Sequence, residues 1–120
     1  MIPDAAILLV EDEVLLREMA REDLEDLGFT VICAGNAEEA LQVLETTTPL
    51  AALFTDIRMP GAYDGWELAR RARKLRPDLP VLYVSGYCAD DLQPVNGGLF
   101  ISKPYRLRDI QNALDELIPA

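Results

Sequence analysis

Leu50-Ala-Ala-Leu-Phe-Thr-Asp-Ile-Arg-Met-Pro-Gly-Ala-Tyr-Asp-Gly65 is the stretch on which the fold of this chain turns. The apolar run from Leu50 to Phe54 is long enough for a strand covered on both faces. It ends abruptly in one carboxylate, Asp56, ahead of the turn residues Met59-Pro60-Gly61. Strands without polar alternation belong to parallel sheets, whose ligands sit just beyond the strands' carboxyl ends. Asp56 is predicted to stand at that edge. An aspartate before Met-Pro-Gly also starts a turn well, so the other strand ends must decide between a turn and a site.

Upstream, Ala5-Ala-Ile-Leu-Leu-Val10 is a first apolar strand, followed at once by Glu11-Asp12-Glu13. From Val14 the residues Leu16, Met19, Ala20, Leu24 and Leu27 recur at helical spacing, and Gly28 stands where a left-handed helix terminus would fall. Thr30–Ala34 is a β-branched strand, Asn36 a helix cap, and Ala37, Ala40, Leu41 and Leu44 a second helical stripe. Downstream, Leu68, Ala69, Ala72 and Leu75 mark a third helix, and Pro77 and Pro80 separate it from the strand Val81–Val84, which Ser85-Gly86 ends. The segment Tyr87–Gly98 is interrupted by Pro94 and Gly97-Gly98, so at most a turn or two of helix is expected around Ala89–Gln93. Leu99–Ser102 is the last strand, closed by Lys103-Pro104, and Leu107, Ile110, Leu114 and Leu117 give a final amphipathic helix of about three turns. Strand and helix in alternation imply an α/β fold: a parallel sheet with helices on both faces and right-handed crossovers. The order of the strands does not follow from the pattern.

With 120 residues, 50% of them apolar, the chain suits one domain with its own core, spanning residues 1–120. A net charge of -10, from 21 acidic and 11 basic residues, argues against a nucleic-acid backbone or an anionic membrane as partner. The bases from Arg70 to Arg76 lie near a helix end and are expected to form a solvated face. No signal-like or membrane-length apolar stretch is found, so a cytoplasmic protein is expected. Cys33 and Cys88 fit no metal spacing and are expected to be reduced thiols. Histidine is absent, which excludes Ser-His-Asp and Cys-His catalysis and any internal phosphohistidine. A phosphoryl donor, if one is needed, must come from outside.

Strand ends carry the chemistry: Glu11 and Asp12 after the first, Asp56 at the third, Ser85 at the fourth, Lys103 after the fifth. Each has a local explanation, the acids as favourable charges at a helix N-terminus and the others as turns. Their meeting at one edge is much harder to obtain by chance. Three carboxylates within about 5 Å of one another would repel by several kcal/mol per pair at an effective dielectric near 20, so they need a cation. Hard oxygen ligands in this number suit Mg²⁺, with Mn²⁺ as the alternative. Asp56 is then free to act as nucleophile toward a phosphoryl group. Lys103 and the metal would offset the charge on the phosphoryl oxygens, and Ser85 could donate a hydrogen bond to one of them.

From Ile7 to Leu117 these residues make the chain resemble the response-regulator receiver domains of two-component signalling. The resemblance implies a doubly wound, flavodoxin-like sheet of five strands in the order 2-1-3-4-5. It implies Glu11 and Asp12 as the acidic metal pair, Asp56 as phospho-acceptor and third acidic ligand, and the backbone carbonyl of Arg58 as a further ligand. Ser85 is implied as the switch hydroxyl, Lys103 as the family's lysine, and Phe100 as the aromatic that changes rotamer on activation. Met59-Pro60 and Asp64-Gly65 resemble the loop after the acceptor. The implied partner is a histidine kinase or histidine phosphotransfer protein. The implied activity is self-catalysed uptake and slow hydrolysis of phosphate, a phosphorylation switch and not an enzyme acting on other substrates. Output is expected through protein contacts or phosphate relay, with no nucleic acid or membrane involved.

The chain departs from the family in places. The Met59–Asp64 loop is one residue longer than in the chemotaxis member, and the short stretch from Ser85 to Phe100 implies a fourth family helix that is short or irregular. The response to phosphate is therefore expected between Ser85 and Tyr105, with Tyr87–Gly98 moving most and partners using the first or the last helix. Two rival readings fail on named residues. A haloacid-dehalogenase-like phosphatase needs a second acid two residues after its nucleophile, where this chain has Arg58. A flavodoxin-like nucleotide carrier needs a hydroxyl- and glycine-rich phosphate loop where Glu11-Asp12-Glu13 would repel the ligand.

Overall fold

The computed structural model describes residues 5–86 and 92–118. In chain order it has β1 (Ala6–Val10), α1 (Val14–Asp26), β2 (Thr30–Ala34), α2 (Ala37–Leu44), β3 (Leu50–Asp56), α3 (Gly65–Leu75), β4 (Val81–Ser85), β5 (Leu99–Ser102) and α4 (Leu107–Leu117). The strands form one sheet in the order β2-β1-β3-β4-β5, every neighbouring pair parallel. This is the doubly wound arrangement that the resemblance implies.

Alternate residues of the buried strands feed two cores. On one face Leu8, Val10 and Leu53 pack with Ala40 of α2 and Leu68 of α3; on the other Ile7, Leu9 and Phe54 pack with Leu24 of α1 and Ile110 of α4. Each fully buried aliphatic side chain contributes roughly 1.5–3 kcal/mol, which is why the apolar runs form strands and the helical stripes face them. Polar residues set the helix ends. Asn36 Oδ1 accepts from the Glu39 N–H at 2.8 Å and Asp64 Oδ1 from the Glu67 N–H at 2.9 Å, while Asp109 Oδ2 accepts from the Arg106 N–H at 2.8 Å. Gly28, at φ 96°, closes α1, and the Phe29 N–H returns to the Leu24 carbonyl.

Three residues of the predicted stripes do not go inside. Met19, Leu75 and Leu107 are exposed: Leu75 and Leu107 are the last and first residues of their helices, and Met19 borders the open cavity beside α1. The basic run is also not simply a solvated face. Arg70 and Arg71 pair with Glu67, Arg73 donates to the Leu79 carbonyl, and Arg76 donates to the carbonyls of Leu44, Thr46 and Thr48. Arg76 thereby satisfies the carboxyl end of α2, whose last carbonyls have no partner within the helix.

The helical turn expected around Ala89–Gln93 falls mostly on residues outside those described, as does Cys88. The described remainder, Leu92–Gly98, carries no helix. It is tied to the sheet instead. The Tyr83 hydroxyl accepts from the Val95 N–H at 3.0 Å, and the Tyr83 ring packs tilted against Trp66 of α3, with ring centres 4.5 Å apart. Among the described residues no helix is long and apolar enough to cross a membrane.

Candidate functional site

The parallel order sets β1 beside β3, β3 beside β4, and β4 beside β5, so their carboxyl ends adjoin. Asp56 closes β3, in register with Val84. Its Oδ1 accepts from the Ile57 N–H at 2.7 Å, the turn-like bond a local reading would expect, while its Oδ2 lies 3.3 Å from the Lys103 Nζ. Lys103 follows β5, and its own N–H donates to the Ser85 carbonyl at 2.9 Å, which fixes the lysine's main chain to the end of β4. The same Nζ stands 3.5 Å from Glu11 Oε1. Oxygens of Glu11, Asp12 and Asp56 all lie within 4.8 Å of one another.

Glu11 is the unusual member. It is only 5% exposed, and neither carboxylate oxygen has a hydrogen-bond partner. Burial first, then the neighbouring side chain and charge of Asp56, push the Glu11 carboxyl up from 4.5 to about 8, against the pull of Lys103. A helix-capping role for these acids is not what the structure shows: Glu13 is the N-cap of α1 without a side-chain cap bond. Buried carboxylate oxygens without donors, clustered with two further acids, are a donor set that fits a hard divalent cation.

Ser85 is buried at the end of β4. Phe100, in register with Tyr83, is half-buried against the core on the α2 and α3 side. Arg58 is exposed in the loop after Asp56. Two residues of the site, Glu38 and Arg17, were not legible in the sequence, and the close approach at Gly65 was not either. Glu38 of α2 holds the loop after Asp56 by accepting from the Ala62 N–H at 3.0 Å. Arg17 of α1 donates to the Glu11 carbonyl at 2.9 Å. Gly65 brings the start of α3 so close that a Cβ there would lie 2.2 Å from the Asp56 carbonyl oxygen. The only available signal for the first two was charge on an otherwise ordinary helix face.

Beside the acids lies a mainly apolar cavity of about 480 Å³, walled by Leu16, Met19 and Ala20 of α1 and by Phe54, Pro104 and Tyr105. Tyr105 packs edge-on to Phe54, and burial pushes its hydroxyl up to about 12. Val14, Leu15 and Met19 of α1 are exposed apolar residues, with Met19 at the cavity wall.

Known proteins resemble this chain in sequence and in fold. The chain is 36% identical over 118 residues to the response regulator receiver protein CpdR of Brucella abortus, covering 95% of this chain and 97% of that protein. It is 33% identical to the sensor kinase CckA of the same organism, of whose length it spans only 12%. Among solved structures, a response regulator receiver protein from Sinorhizobium medicae superposes with a TM-score of 0.91 at 30% identity, over 97% of this chain and 95% of that one. The receiver domain of the hybrid histidine kinase CckA superposes at 0.80 with 32% identity, over 94% of this chain and 98% of that one. The response regulator receiver domain family matches residues 7–115, and the chain belongs to that family.

Proposed function

We propose that residues 1–120 act as one phospho-acceptor switch, taking a phosphoryl group from a phosphohistidine of a partner kinase or phosphotransfer protein onto Asp56. The observation that carries this reading is the Lys103 ammonium 3.3 Å from Asp56 Oδ2 and 3.5 Å from Glu11 Oε1, beside clustered carboxylates. Glu11, Asp12, Asp56 and the backbone carbonyl of Arg58 would hold Mg²⁺, or Mn²⁺ in its place. When bound, the metal neutralises the acids and the incoming phosphoryl oxygens. An Asp56 oxygen forms the new bond to phosphorus as the bond to the donor's imidazole nitrogen breaks, and water later returns phosphate and the free carboxylate. Lys103 moves its charge from the carboxylates to the phosphoryl oxygens, and Ser85 donates to one of them. The exposed apolar surface of Val14, Leu15 and Met19 supports docking of the donor on α1.

Intact mass with acetyl phosphate and Mg²⁺ tests the assignment. One phosphoryl group should add to the wild type, none to Asp56→Asn, and far less to Lys103→Ala, which should still fold. Uptake that survives chelation or persists in Asp56→Asn would show that the phosphate goes elsewhere.

The switch path runs from Ser85 through Phe100 to the Tyr83-tethered segment, because drawing Ser85 toward phosphate vacates space that Phe100 can fill. Leu92–Gly98 forms no helix, so the change works against a turn at Gly98 and the Val95–Tyr83 bond and not against a helical ladder. Hydrogen exchange with and without beryllium fluoride should alter protection there and near Lys103. Changes confined to Val14–Leu44 would rule the path out.

A further inference from the structure

We infer that Arg17 is a positioning residue for the acidic site, holding the turn from β1 into α1 so that the Glu11 carboxylate stays beside Asp56; this rests on the receiver reading above. The buried Glu11 carboxylate has no hydrogen-bond partner, and its one ion pair is the looser 3.5 Å approach of the Lys103 ammonium. Its place therefore depends heavily on its backbone. That backbone is held at both polar atoms: the Glu11 N–H donates to the Ala34 carbonyl at 3.1 Å, and the Glu11 carbonyl accepts from Arg17 Nη1 at 2.9 Å. The first bond extends the pairing of β1 with β2 by one residue. The second reaches back from the first turns of α1, so strand end and helix start are locked together across the residues that carry the acids. A second observation concerns Gly35, just after β2. A Cβ there would meet Arg17 Nη1 at 3.2 Å and Glu39 Oε1 at 3.2 Å, so the guanidinium occupies space that the glycine leaves open. Partners one step removed from a metal ligand commonly govern affinity in this way, by orienting a ligand they do not replace.

The test measures Mg²⁺ affinity by calorimetry, and exchange of the Glu11 amide by NMR without metal, in wild type, Arg17→Ala, Arg17→Lys and Gly35→Ala. Alanine is the best helix former, so Arg17→Ala leaves α1 itself unharmed. In Arg17→Ala, affinity should fall about tenfold and the Glu11 amide should exchange faster. Arg17→Lys, which keeps one donor on a long stem, should recover most of the loss. Gly35→Ala, whose added methyl crowds the guanidinium, should fall between wild type and Arg17→Ala. Unchanged Mg²⁺ affinity and unchanged Glu11 protection in Arg17→Ala would overturn the proposal. So would a loss that Arg17→Lys does not relieve and that only follows a drop in urea stability. If the wild type takes up no phosphate on Asp56, the receiver function falls by itself, and the Glu11 amide still decides the role of Arg17.

Discussion

Replacing Glu11 by Gln and Asp12 by Asn together should lower Mg²⁺ affinity by about a hundredfold or more while leaving the metal-free protein as stable as before, or more so. The second half follows from the Glu11 carboxyl, which burial and Asp56 raise to about 8. An acid whose folded value lies above its unfolded one keeps its proton longer in the fold. Its contribution to stability is therefore full below pH 4.5, declines as pH rises, and is lost as pH passes about 8. Wild-type protein in chelator should thus lose stability between pH 5 and pH 9. The double variant, with no proton to release at residue 11, should lose much less. At pH 9 its advantage should be on the order of a few kcal/mol, because a glutamine is not charged where a buried glutamate must be. Mg²⁺ binding to the wild type should tighten with pH over the same window, since the cation displaces the Glu11 proton. Urea titrations at the two pH values, with and without Mg²⁺, measure all of this. A clear loss of metal-free stability in the variant would mean that the acids serve the fold and not a cation.

Gly65→Ala should destabilise the domain by about 3 kcal/mol or more. Gly65 opens α3, where alanine would ordinarily gain about 1 kcal/mol over glycine, so the sign of the measured change is itself diagnostic. A Cβ here would lie 2.2 Å from the Asp56 carbonyl oxygen and 2.7 Å from Ile57 Cα. Both are main-chain atoms of the strand end that carries Asp56, and neither can rotate away. The Gly65 N–H also donates to the Ile57 carbonyl at 2.7 Å, so relief by separation breaks that bond. The urea midpoint should fall, and the protein that remains folded should bind Mg²⁺ more weakly because Asp56 has moved. An alanine variant as stable as wild type would show that the strand end is softer than its packing implies.

The sequence by itself determined the alternation of strands and helices and the row of chemically loaded strand ends. Both are local: an apolar run bounded by turn residues needs a covered strand, and apolar residues at helical spacing need a covered face. Gly28 and Asn36 mark helix ends for the same reason, since left-handed backbone and an unpaired N–H are met within a few residues. The strand order came from the resemblance and not from the pattern, because periodicity carries no record of which strands are neighbours. Only the tertiary structure separated Glu11 from Asp12, burying the first without a donor while leaving the second half-exposed, although the two acids are adjacent in the chain. Likewise only assembly turned Arg76 from a surface charge into the cap of α2, and left Met19, Leu75 and Leu107 outside. Burial and desolvation depend on what distant segments bring to a residue, so they are decided when the sheet closes its neighbours together and not before.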